Sequence, residues 1–422
     1  LFKIKKSSLS GTLHIPPSKS QSLRAILFAS LASGKSFITN PLLQSPDIQA
    51  MIKACRYLGA VIDLKDNTLE IVGVNNALDG SLDVIQVANS GIVLRFISAL
   101  AALSEKPIVI TGDDSIRHQR PMQELLDALN EMGALAISTK KDGFAPVIIQ
   151  GPLKKNIAHI IGQDSQFVSA LLILFMFTGG VIKVSDPGEK PWVDMTLDWL
   201  KKFNVPFINK DYKEFHIKKV PLIQAFKYTV PSDLSSLAFP VAAALVTKSN
   251  LLIEDVDFCD KQGDKKLFDV FKKMGASLSF GDDMRHIEIK PSLLKGIDVD
   301  INDFIDALPI LSTVACFAST KTTIMNAANA RNKECDRIKA ICQELKKMGA
   351  NIEEKMDGLI IHPSKLFASS LYSHQDHRIA MSLTVAAMGA EGESILKDSS
   401  CVSKTYPLFF DDMKKIGANI ET

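Results

Sequence analysis

The chain is poor in the features that would take it out of an ordinary reducing interior. Its 6 cysteines, Cys55, Cys259, Cys316, Cys335, Cys342 and Cys401, form no CxxC pair and have no histidine at ligand spacing. That excludes a disulfide framework and a thiolate zinc site, and predicts reduced thiols. No charge dominates: 49 Lys+Arg against 47 Asp+Glu leaves +2, so no global basic field draws the protein to nucleic acid. No long apolar run is present either. The most apolar stretch, FVSALLILFMFTGGVI at 167–182, is shorter than the ~20 residues of a membrane span and is broken by glycine. It predicts a buried helix running into a strand. The opening LFKIKKSSLSG has neither an apolar signal core nor transit-peptide character. The expectation is a cytoplasmic protein with no nucleic-acid or membrane partner.

What is present is a repeat. Hydrophobic residues make up 46% and charged residues 23% of 422, which suits two globular domains of about 200 residues each. The pentapeptide KKMGA occurs at 272–276 and again at 346–350. It belongs to a longer pattern of amphipathic helix, Gly-Ala and alternating strand. The turn residues are Gly59, Gly133, Asn204, Gly275, Gly349 and Gly417, so successive differences are 74, 71, 71, 74 and 68. A helix C-cap needs the left-handed conformation, which Gly adopts freely and Asn next best. Near-constant spacing over six copies marks a real duplication.

Each unit reads as strand, helix, strand, helix, hairpin. In the first, GTLHIP and KSFITN are strands and AVIDLKDNTLEIVGV is a hairpin turning at Asp-Asn. The sixth unit stops at ANIET, one strand short, and LFKIKK at 1–6 is the spare strand. The predicted domains are therefore 17–230, with the first three repeats, and 1–16 plus 231–422, with the last three. Crossovers near 13–18 and 228–233 would form a double hinge suited to closing over a ligand.

The chemistry concentrates where each first helix begins: PSKSQSLR (17–24), ANSGIVLR (88–95), QDSQF (163–167), PSDLSS (231–236), FIDAL (304–308) and QDHRIA (375–380). N-capping accounts for Ser18, Ser90 and Ser232. It does not account for Lys19, Arg24, Arg95, His377 or Arg378, because a cation at a helix N-terminus opposes the macrodipole. An anion held between helix end and side chain resolves that conflict. The second helices add Arg117 and Arg120, then Arg331, Lys333, Glu334 and Arg337, and finally Lys404. A threefold arrangement in each domain would gather these into a cleft for polyanions. Asp306 opens an otherwise apolar helix, and Asp376 precedes His377. Capping is the plain explanation for Asp306. A carboxylate among cations also stays ionised and accepts a proton, while an adjacent lysine donates one.

These stretches, with PSKSxSxR, NxGxxxR, RPMxxLxxAL, SQFVSALL, RNKECDR, QDHRIAMS and CVSKTYPxFF in order along the whole chain, resemble the enolpyruvyl transferase family, in the branch acting on shikimate 3-phosphate. The resemblance implies an α/β fold of two inside-out α/β barrels, six βαβαββ repeats with three per domain. It implies transfer of the enolpyruvyl group of phosphoenolpyruvate to the 5-hydroxyl of shikimate 3-phosphate, by addition and elimination, in a monomer without metal or organic cofactor. By motif match Lys19, Ser20 and Arg24 would bind both substrates. Asn89, Gly91, Arg120, Gln166, Arg337, Arg378 and Lys404 would serve phosphoenolpyruvate, and Ser165, Asp306, Asn329 and Lys333 shikimate 3-phosphate. Asp306 would take the hydroxyl proton, and Glu334 with Lys19 would handle the proton at the methylene carbon.

The chain departs from the family pattern at Asp164 and at EKPW, with Glu189 and Trp192. Carboxylates beside a phosphate repel it, so both are expected to turn away. The small-residue loop reads ANSGI and is followed by Phe96, a change expected to weaken glyphosate without abolishing phosphoenolpyruvate binding. The sister transferase acting on UDP-N-acetylglucosamine would need a reactive Cys in its Arg-rich loop, and GDDSIRHQRP has none. A clamp-like repeat ring on nucleic acid would need an evenly basic concave surface, which Asp306, Glu334 and Asp376 oppose. The acidic replacements also leave room for a catalytically dead member of the family.

Overall fold

The computed structural model describes residues 1–75 and 84–422. Its strands form six four-stranded sheets of one order. The second sheet shows the rule. Val84–Gln86 runs parallel to Ile108–Thr111, which pairs antiparallel with Val147–Gln150, which pairs antiparallel with Leu135–Ser138. A parallel pair requires a crossover, and a helix supplies it. All six turn residues are left-handed, from φ +54° at Asn204 to +104° at Gly59. Asn therefore does at residue 204 what Gly does in the other five units.

The first helix of each unit is buried nearly all round. Ser165–Thr178 keeps only its ends half-exposed, as its uniformly apolar sequence requires. Helices Leu234–Thr247, Leu308–Cys316 and His377–Gly389 pack against one another, and Gly91–Ala101 packs on Ser165–Thr178. Sheet strands such as Leu135–Ser138 alternate exposed and buried residues. Helices lie inside and sheets outside, which is the inside-out α/β arrangement.

The chain divides into two compact units, Leu1–Pro16 with Pro231–Thr422 and Pro17–Val230, each with its own apolar core. In the sixth sheet Phe2–Lys5 lies between Glu393–Lys397 and Ile420–Glu421, with Lys3 opposite Glu421.

One assignment changes. The strand Thr12–His14, expected to open the first repeat, pairs instead with Leu251–Glu254 of the fourth. The first repeat takes its leading strand from Lys227–Thr229, parallel to Lys35–Thr39. Each crossing segment thus lays a strand in one unit and starts a helix in the other. Pro16, Pro17 and Pro231 stand at the crossings. Proline has no N–H to continue a ladder and holds its predecessor extended. The Asp233 N–H donates to the Pro16 carbonyl at 2.8 Å and ties the two crossing segments together.

Candidate active site

In the unit formed by 1–16 and 231–422, the start of helix Arg337–Lys347 carries the centre of a charge cluster. Arg337 is 1% exposed, and carboxylates surround its guanidinium. Nε meets Asp376 Oδ2 at 2.6 Å, Nη1 meets Asp306 Oδ1 at 2.7 Å and Nη2 meets Glu334 Oε2 at 2.6 Å. Lys404 Nζ lies 3.0 Å from the other oxygen of Glu334. Arg378 Nη2 lies 3.0 Å from Asp306 Oδ2, and its Nη1 lies 3.5 Å from Asp264 Oδ2. Five chain segments distant in sequence meet here, each from a strand–helix junction.

Local folding explains the placement. Asp376 caps helix His377–Gly389, accepting from the Arg378 N–H at 2.8 Å, so the side chain of Arg378 begins its helix beside that cap. Asp306 sits on the 3-10 turn Asn302–Ala307, which is kinked at Phe304. The following helix, Leu308–Cys316, has no side-chain cap. Asp306 is therefore not a cap. It serves Arg337 and Arg378 instead.

Burial alone would raise Asp306, but Arg378, Arg337 and Lys333 reverse this and hold it well below the usual carboxylate range. Burial would lower Arg337, yet Asp376, Glu334 and Asp306 lift it well above its ordinary value. Lys333 is itself 8% exposed. Asn329 lies half-buried on the adjoining turn Ala328–Asn332. Glu334, Asp376 and His377 place ligand atoms within 4.8 Å of one another, but the Arg337 guanidinium already binds both carboxylates, so a further cation there would face a buried like charge.

In the unit 17–230 the predicted residues fall into three groups. Lys19 Nζ meets the buried Asp47 at 3.2 Å. Arg24 donates from Nε and Nη2 to the Thr196 hydroxyl at 3.1 and 3.0 Å and from Nη1 to the Ser20 carbonyl at 3.2 Å, and it lies over the Phe96 ring. Around Gly91 stand Arg95, Gln166 and Arg120. A Cβ at Gly91 would approach Arg95 Nη1 to 3.2 Å and the Arg120 side chain to 3.7 Å. Arg95 Nη1 donates to Gln166 Oε1 at 2.7 Å and pairs with Asp164 Oδ2 at 3.1 Å. Asn89 is half-buried just before the Ser90 cap.

The two unusual carboxylates behave differently. Asp164 caps helix Ser165–Thr178 and pairs with Arg95. Glu189, 3% exposed and left-handed at φ +48°, accepts the Ser165 hydroxyl at 2.8 Å and the Ser165 N–H at 3.3 Å. It is directed onto the very serine that motif matching assigns to phosphate.

Other sequence readings are revised. Asp233 rather than Ser232 caps helix Leu234–Thr247. Arg331 leaves the cluster and holds Asp336 and Glu354 at 2.7 and 2.9 Å. Sequence reasoning missed Asp47 and Asp264. Both stand at the start of the second helix of their repeats, and comparing those starts as the first-helix starts were compared would have found them. Burial pushes Cys55, Cys316 and Cys401 up to about 12, and Cys335, close to Asp376, higher again.

Two units of three helix-inside repeats, with cations and carboxylates gathered at the strand–helix junctions, define an enzyme of the enolpyruvyl transferase class. The family profile described as EPSP synthase (3-phosphoshikimate 1-carboxyvinyltransferase) matches residues 4–413, and the chain belongs to that family. It is 43% identical over 425 aligned positions to the 3-phosphoshikimate 1-carboxyvinyltransferase of Chlamydia abortus, covering 100% of this chain and 94% of the relative. It is 41% identical to that of Acetivibrio thermocellus, covering 100% and 99%. The solved EPSP synthase of Acinetobacter baumannii superposes with TM-score 0.83 at 27% identity, over 100% of this chain and 99% of that one. An enolpyruvyl transferase of Streptomyces tendae, at 17% identity and TM-score 0.77 over 100% and 98%, shares the fold.

Proposed function

We propose that this protein transfers the enolpyruvyl group of phosphoenolpyruvate to the 5-hydroxyl of shikimate 3-phosphate and releases phosphate. The observation that carries the reading is the Arg337 cluster. Asp306, Glu334 and Asp376 bind one buried guanidinium, with Lys404 and Arg378 alongside, in a chain of this family. Such a cluster is poised for polyanions. An incoming phosphate or carboxylate displaces a carboxylate side chain from a cation, and each charge-assisted bond contributes about 1.5–3 kcal/mol.

In the proposed chemistry Asp306, ionised by its neighbours, accepts the proton of the 5-hydroxyl as that oxygen bonds to C2 of phosphoenolpyruvate. Lys19 and Glu334 deliver a proton to the methylene carbon, which gives a tetrahedral adduct. Removal of a proton from the resulting methyl group then expels phosphate and restores the double bond. Arg337, Arg378, Lys404, Arg120 and Gln166, with Asn89 and Gly91, are assigned to phosphoenolpyruvate. Ser165, Asn329 and Lys333 are assigned to shikimate 3-phosphate, and Ser20 and Arg24 to both. Arginine and lysine meet the charge on the leaving phosphate, so the scheme calls on no metal or organic cofactor. The proposal includes a monomer working in the cytoplasm. Among the described residues no helix is long and apolar enough to cross a membrane.

The test is phosphate release on mixing phosphoenolpyruvate with shikimate 3-phosphate, with shikimate and UDP-N-acetylglucosamine as parallel acceptors. Release with shikimate 3-phosphate alone is expected. Release with the nucleotide sugar in its place overturns the reading.

A further inference from the structure

Behind Arg378 lies a second carboxyl that no motif singles out. Asp264 stands on the 3-10 turn Gly263–Lys265, ahead of helix Lys266–Lys273, and is 1% exposed. Its Oδ2 accepts the Ser235 hydroxyl and lies 3.5 Å from Arg378 Nη1. Its Oδ1 is buried with no hydrogen-bond partner. Arg378 also donates from Nη1 to the Asp306 carbonyl at 3.4 Å and meets Asp306 Oδ2 at 3.0 Å through Nη2. One guanidinium is thus shared between two carboxyls, and only one of them has a role in the scheme above.

The two carboxyls differ in their surroundings. Asp306 faces Arg378, Arg337 and Lys333, with Glu334 opposing. Asp264 faces Arg378 as its cation, with Asp306 and Asp233 as like charges and the Ser235 hydroxyl as donor. The neighbouring lysines point elsewhere. Lys265 donates to the Asp260 carbonyl at 3.0 Å and Lys266 pairs with Asp303. Burial therefore dominates and pushes Asp264 up to about 7.

We propose that Asp264 is a positioning residue for Arg378, and that its charge sets how tightly Arg378 is held on Asp306. When Asp264 is neutral, Arg378 belongs to Asp306 and makes it a weaker base. When Asp264 ionises, it draws the guanidinium toward itself and leaves Asp306 more basic. Asp306 stays ionised in both conditions, and what changes is its readiness to take the hydroxyl proton. The inference rests on the proposed role of Asp306 as base.

The experiment is kcat against pH for the wild type and Asp264→Asn, read together with carboxyl carbon-13 resonances of labelled aspartate in the protein without substrates. In the wild type, kcat rises through an inflection near neutrality, and the Asp306 resonance moves through the same inflection. Asp264→Asn fixes the neutral state. It removes both inflections and leaves kcat at the acid plateau, with the KM for shikimate 3-phosphate within about twofold. Ser235→Ala, a milder change, removes a donor to the ionised form and moves both inflections to higher pH. An Asp306 resonance that still titrates near neutrality in Asp264→Asn overturns the proposal, as does an unmoved inflection in Ser235→Ala. A wild type whose Asp306 resonance shows the inflection but which releases no phosphate condemns the functional reading and spares the coupling.

Discussion

The two units are built from the same repeat and the same sheet order, yet they hold buried charge in different ways. In the unit 1–16 with 231–422, Arg337 is satisfied by the carboxylates of Asp306, Glu334 and Asp376, and those carboxylates also serve Arg378 and Lys404. Every member depends on the others. In the unit 17–230, Arg24 bonds a hydroxyl and backbone carbonyls, and Arg95 bonds an amide oxygen and one carboxylate. The partners of Arg24 remain neutral when the cation is lost, and Arg95 leaves behind one carboxylate, Asp164, that also caps its helix. One scaffold thus carries a cooperative charge network in one half and separable contacts in the other.

The contrast can be broken by substitution, and the largest effect belongs to Arg337. Arg337→Met leaves three carboxylates without their shared cation and costs about 3–5 kcal/mol of stability with loss of activity. The deficit shrinks as pH falls, because protonation relieves the repulsion. Denaturant midpoints at pH 7 and pH 5 check both statements, and a deficit that grows in acid defeats them. Arg24→Met in the other unit costs less, about 1.5–3 kcal/mol, with no such pH dependence. Equal, pH-dependent losses in the two variants would erase the difference between the units.

Glu189→Gln sharpens the comparison at the substrate side. The buried carboxylate accepts both donors of Ser165, and in the proposed assignment of Ser165 it competes with the substrate phosphate for them. Removing its charge lowers the KM for shikimate 3-phosphate by up to about tenfold, the equivalent of ~1.4 kcal/mol, with the KM for phosphoenolpyruvate unchanged. A raised KM in a folded variant shows that Glu189 aids binding instead. The smallest effect is at Asn204, left-handed at φ +54°. Asn204→Ala costs about 1 kcal/mol, whereas Asn204→Gly keeps the left-handed turn and changes stability by less than about 0.5 kcal/mol, read from thermal midpoints.

The repeat was legible because a left-handed helix end accepts few residue types, so Gly59, Gly133, Asn204, Gly275, Gly349 and Gly417 stand out in register. The sheet to which Thr12–His14 belongs was not legible. A three-residue strand with one buried position fits either edge, and backbone pairing leaves no mark on side-chain choice. The site shows the same asymmetry. Lys19, Arg24, Arg337 and Arg378 were visible because cations at helix starts contradict the macrodipole. Asp47 and Asp264 were hidden because acids there are what capping already predicts. The tilt of Glu189 onto Ser165 depends on a left-handed backbone that a glutamate does not advertise.

The pairing of Lys3 with Glu421 has a consequence for how the protein is made. A nascent chain exposes residues 1–16 long before their strand partners at 251–254, 393–397 and 420–421 leave the ribosome. Meanwhile the 17–230 segment, which contains all the partners of its own sheets, can close while synthesis continues. A chain that stops before residue 393 would therefore hold every strand of the 17–230 sheets, while strand Phe2–Lys5 would still lack both of its neighbours.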